Sequence, residues 1–122
     1  MKLKTTLAAA AFGASLMTGP AVAFTQDQAD KGKSEYNTHC RTCHGSNGKG
    51  ALGPALAGDP AKQKWGGKPS SEYRAFVYEN MPQTAPKTLS DEQLDALTAY
   101  TLSLNGATPG DKPYAKEDPF PK

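Results

Sequence analysis

Cys40-Arg41-Thr42-Cys43-His44 is the stretch whose residue types and spacing point most directly to chemistry. Two thiols three positions apart, followed at once by an imidazole, form the attachment signature of c-type haem. Each thiol can add across a vinyl group to form a thioether, and His44 then stands beside the iron as its proximal ligand. Two other chemistries use similar residues. A structural zinc site takes four ligands, and Cys40 and Cys43 with His39 and His44 would crowd one side of a tetrahedron. A thioredoxin-like redox dithiol belongs in a β-α-β setting, and no strand-like run precedes this motif. The expected cofactor is therefore one haem c, covalently attached through Cys40 and Cys43.

An iron held by one histidine has a sixth position, and its occupant separates an electron carrier from a ligand-binding or peroxidase-like protein. Beyond residue 23 the chain offers a single methionine, Met81. Pro82 disfavours helical backbone at the residue before it, so Met81 is expected on an irregular stretch after a helix ending near Asn80. Most lone methionines fill gaps in a core, but that role does not account for the adjoining proline. His39 lies beside Cys40, on the proximal side, and reaches the opposite face poorly. The expected iron ligands are His44 and Met81.

The amino terminus reads as an export signal. Lys2 and Lys4 form a basic start, Leu7 to Met17 is apolar and alanine-rich, and Ala21-Val22-Ala23 is a small-x-small cleavage site. Residues 1–23 are thus expected to be a signal peptide, leaving a mature chain from Phe24 in the bacterial periplasm, with no membrane span after cleavage.

The whole chain carries a formal charge of +2, but residues 24–122 hold 12 basic and 12 acidic side chains. That neutrality argues against nucleic acid or an anionic membrane as a partner. Charge is nevertheless uneven. From Cys40 to Ser90 seven basic residues face three acidic ones, whereas residues 91–122 carry six acidic and three basic. A positive middle of this kind suits steering toward an acidic redox partner.

Positioning these groups falls to helices, since strand signals are nearly absent. A first helix is expected from about Asp27 to about Asn37, with Ala29, Gly32 and Tyr36 on one side and Gly32 marking a close backbone crossing. Gly45 to Gly50 reads as a flexible turn and fails the phosphate-loop pattern. A further helix is expected from Ser70 or Ser71 to Asn80, capped by serine and packing Tyr73, Phe76 and Val77 inward. The last helix starts at a capping box, Ser90 with Gln93, and ends at Asn105-Gly106. From Ala107 onward four prolines predict an extended or disordered tail unless it docks. The domain boundaries expected are therefore 1–23, 24–106 and a Pro-rich tail over 107–122. So small a chain builds only a modest core, and a covalently held macrocycle would complete it.

Taken together, Gly32-x-x-x-Tyr36, Cys40-x-x-Cys43-His44, Gly53-Pro54, Met81-Pro82 and the Leu97 to Leu104 helix resemble class I c-type cytochromes over nearly all of residues 26–106. The resemblance implies an all-α fold, three to five helices wrapped around one covalently attached haem. It implies that the first and last helices cross near Gly32 and Tyr100, and that the Pro54 carbonyl accepts a hydrogen bond from the proximal imidazole. It places Trp65 as a propionate-binding residue, a role that competes with simple core packing. The stretch from Met81 to Gly106 also resembles cytochrome subunits that take electrons from periplasmic dehydrogenases of sulfur-compound or alcohol oxidation.

The function expected is mono-haem electron transfer, Fe(II)/Fe(III), between a periplasmic dehydrogenase as donor and an oxidase or another cytochrome as acceptor, with no catalytic residues of its own. Two alternatives stay open at this stage. One is a tightly bound dehydrogenase subunit whose tail wraps the enzyme. The other is a haem sensor or peroxidase-like protein with an open sixth site.

Overall fold

The computed structural model describes residues 24–122; the expected signal peptide lies outside the described residues. Among these, five α-helices follow in order: α1 Gln26–His39, α2 Arg41–His44, α3 Asp59–Trp65, α4 Ser70–Asn80 and α5 Asp91–Leu104. Strand geometry is limited to one isolated bridge, Pro69 with Pro119. The all-α class is as expected. No helix of the described residues is long and apolar enough to cross a membrane.

Two long helices form the frame, and both begin with reciprocal capping boxes. Thr25 accepts from the Gln28 amide while the Gln28 side chain accepts from Thr25 N–H, and Ser90 pairs with Gln93 in the same way. Each box satisfies two amides that a helix start otherwise leaves without partners. The Ser90 box stands where the sequence placed it; α1 runs a residue or two further at each end than expected. On α1 the buried residues are Ala29, Gly32 and Tyr36, one side of the helix. On α5 they include Leu94, Leu97, Tyr100 and Leu102.

The two helices cross at Gly32. A Cβ built there would overlap the Ala96 carbonyl and lie 2.7 Å from the Tyr100 Cβ, so only glycine lets the backbones approach this closely. Beside the crossing, the Tyr36 and Tyr100 rings meet at 5.3 Å and 55°.

Helix α4 packs Tyr73 and Val77 inward, but Phe76 is 37% exposed, contrary to expectation. It lies on the flank of the buried stripe and leans on Trp65, with ring centroids 5.5 Å apart. The N-cap of α4 is Pro69, and no serine side chain caps it. Residues 107–122 do so instead. Ser70 N–H donates to Asp118 O at 2.7 Å and Ser71 N–H to Lys116 O at 3.1 Å.

The Pro-rich segment is therefore docked on its own domain. Phe120 is 1% exposed and Tyr114 9%, and both join the core with Phe24, Tyr73 and the α5 leucines. Burying a ring of this kind contributes roughly 1.5–3 kcal/mol. Helix α3 has no counterpart in the sequence expectations. Its seven residues are too few to show a period, although Pro60 at its start is a favoured opening residue.

Candidate haem site

The five-residue motif folds as a single helical turn. Cys40 is the N-cap of α2, and its carbonyl accepts from Cys43 N–H at 3.2 Å and from His44 N–H at 2.9 Å. Cys43 and His44 thus stand one helical turn after Cys40, so both thiols and the imidazole leave the same turn. Both cysteines are free thiols, Cys40 half-buried against the core and Cys43 exposed. Burial, then Glu35 and Cys43, push the Cys40 thiol up to about 11. At neutral pH it is therefore held protonated.

The His44 ring is buried, and its Nδ1 lies 2.8 Å from the Pro54 carbonyl. Since a carbonyl only accepts, Nδ1 carries the proton and donates it, which leaves the Nε2 lone pair for a metal. Gly53 lies against the same ring: a Cβ on it would sit 3.0 Å from His44 Cε1 and 3.1 Å from Nδ1. Its own amide donates to Cys43 O at 2.7 Å. The loop from Gly53 to Pro54 is thus fastened to α2 by its backbone and to the imidazole by a carbonyl.

Two residues hold this loop system from behind. The Tyr36 hydroxyl donates to Gly45 O and accepts from Gly48 N–H at 3.0 Å. Burial, its largest perturbation, raises the Tyr36 pKa. The segment read as a flexible turn is in fact fixed to α1 and shaped by a 3-10 turn at Ser46–Gly48. Asn105 is the second clamp. Its side chain donates to Leu56 O and Thr101 O, both at 2.9 Å, and accepts from Gly58 N–H at 3.0 Å. The sequence presented Asn105 only as a helix stop, and its reach across to Leu56 had no local signal.

Met81 arrives from a different element. It is the C-cap of α4, with extended backbone at φ −121° and ψ 147°, its amide still donating to Val77 O at 2.8 Å. The side chain is half-buried and packs against the core. Trp65 joins an aromatic group: edge-on to Tyr73 at 5.5 Å, beside Phe76, with the Lys64 and Lys68 ammonium groups 5.1 and 5.9 Å from its ring.

These residues suit a covalently held haem. Two free thiols share a turn with an imidazole whose Nδ1 is already committed, and a thioether stands at a helix end. Leu52, 88% exposed, projects beside Gly53, an apolar side chain that a macrocycle would give something to pack on.

Comparison with known proteins agrees. Residues 27–100 match the family described as Cytochrome C oxidase, cbb3-type, subunit III. The chain is also 34% identical, over 91 residues, to the Cbb3-type cytochrome c oxidase subunit CcoP of Azospirillum sp. (strain B510), an alignment covering 62% of this chain. The chain spans 30% of that relative's length. It thus belongs to the cbb3-type subunit III cytochrome family, as a mono-haem class I c-type cytochrome carrying covalently bound haem c and serving electron transfer.

Proposed function

We propose that this chain is a periplasmic relay of single electrons whose haem would be held by Cys40 and Cys43 as thioether anchors and by His44 and Met81 as iron ligands, and that its acceptor is a cbb3-type oxidase. The observation that carries the reading is the His44–Pro54 contact on the same turn as both thiols, within the segment that matches the family. The bound group supplies an Fe(II)/Fe(III) couple. The protein's part is to keep the ligands still: the Pro54 carbonyl fixes ring tautomer and orientation, Gly53 lets the loop lie flat on the imidazole, and α4 delivers Met81. A site whose ligands stay in place needs little rearrangement for each electron. Trp65 packs against Tyr73 and Phe76, which supports the packing role over the competing propionate-binding one.

The oxidase acceptor rests on the relative's name, CcoP, a subunit of such an oxidase. A periplasmic dehydrogenase remains the proposed donor, on the resemblance of residues 81–106. Stopped-flow mixing of the ferrous protein with an isolated cbb3-type oxidase and oxygen tests the acceptor. Rapid, saturable reoxidation is expected; reoxidation no faster than without the oxidase overturns it.

A further inference from the structure

Residues 107–122 run as a belt from the end of α5, past the start of α1, to the start of α4. Gly110 N–H donates to Phe24 O at 2.7 Å, and Tyr114 N–H to the Gln28 side chain at 2.8 Å. The belt then meets α4 and the turn before it. Phe120 N–H donates to Lys68 O and Gly67 N–H to Phe120 O, both at 2.8 Å, while the carbonyls of Lys116 and Asp118 cap the first α4 amides. The contact is also made by side chains. The buried Ser70 and Tyr114 hydroxyls are 2.7 Å apart, and the Phe120 ring lies 5.6 Å from Tyr73.

Helix α5 also holds α4, through Arg74 with Asp91 and Asp95 and through Tyr73 OH with Thr101 at 3.0 Å, and Trp65 of α3 lies against Tyr73 and Phe76. The belt's grips and the polar ones from α5 lie in the first half of α4; nearer Met81, Lys87 N–H donates to Tyr78 O at 2.9 Å and its ammonium pairs with Glu79. Met81 is at its other end, and a rigid helix transmits a tilt at its start to its terminus.

We propose that the belt is a positioning device for the distal ligand: Phe120 and Tyr114 fix the seat of α4 and through it where the Met81 thioether stands. This rests on the reading of Met81 as the sixth ligand. A proline-rich segment suits the task, since its limited freedom reduces the entropy cost of lying in one path.

The test uses the holo-protein with Phe120→Ala and, as a milder change, Tyr114→Phe, beside wild type and Met81→Ala. Carbon monoxide is added to each ferrous protein, with far-UV circular dichroism recorded on the same samples. Phe120→Ala with native helix content is expected to bind carbon monoxide at least tenfold faster than wild type, although Met81 is present, and Tyr114→Phe to show an intermediate increase. Wild-type exclusion in both variants, with Met81→Ala binding, overturns the belt proposal alone. If Phe120→Ala does not fold, Tyr114→Phe decides: an increase supports the proposal and no change overturns it. Free binding by wild type would instead remove the Met81 reading on which the belt depends.

Discussion

At His44 three neighbours act on one residue: the Pro54 carbonyl accepts a hydrogen bond from Nδ1, Gly53 lies against the ring, and α2 fixes the backbone. Gly53→Ala would bring a methyl group to 3.0 Å of the ring, closer than ordinary contact. Overpacking of this kind costs about 1–3 kcal/mol. Denaturant unfolding of the holo-protein should register that loss, with a changed reduction potential because the ring must move; an unchanged midpoint and potential would show the loop yields without effect. The Cys40-x-x-Cys43-His44 motif and the Met81-Pro82 pair are local patterns within five positions, which is why the proposed haem-holding residues could be picked out in the sequence. Gly53 stands out in the sequence only as half of the Gly53-Pro54 dipeptide, since its use depends on a ring nine residues away.

Among the helices, α1 and α5 were legible and α4 partly so. Capping boxes and apolar spacing are local codes, and Ser90-x-x-Gln93 announced α5 directly. The cap of α4 has no local signal, because its acceptors come from residues 116 and 118, far along the chain. Gly32→Ala is expected to push α1 from α5, lowering stability by about 1–3 kcal/mol or more, since a backbone carbonyl cannot swing aside as a side chain does. Ser90→Ala should cost about 0.5–2 kcal/mol through the lost cap. Thermal melts of the two holo-variants check both, and a Gly32→Ala protein as stable as wild type would mean the crossing is looser than its geometry.

For the molecule as a whole, the α1–α5 crossing and the belt together cover four tyrosines, Tyr36 and Tyr100 at the crossing and Tyr73 and Tyr114 at the belt. Burial is the largest cause of the raised pKa at Tyr36, Tyr73, Tyr100 and Tyr114, and it lifts Tyr114 to about 12. The folded protein therefore keeps these phenol protons above pH 10.0, where the unfolded chain releases them. The stability they contribute is fully present below that pH and falls as pH rises from there, with a limiting slope of about 1.4 kcal/mol per pH unit for each such group. Denaturant midpoints measured from neutral to alkaline pH should decline above pH 10, and less steeply in Tyr114→Phe. A flat profile would contradict the burial of these rings. The docking of residues 107–122 was hidden in the sequence because four prolines look alike whether a segment is solvated or pressed onto a core; Tyr114 and Phe120 decide it, and only the fold shows where they go.

On the proposed reading, His44 and Met81 would both stay on the iron while an electron comes and goes. Adding carbon monoxide to the ferrous holo-protein at neutral pH, and recording its visible spectrum beside that of Met81→Ala, tests it most directly. The wild-type spectrum is expected to stay unchanged and Met81→Ala to form a carbon monoxide complex. Stoichiometric binding by wild type, or an unreactive Met81→Ala, would contradict it.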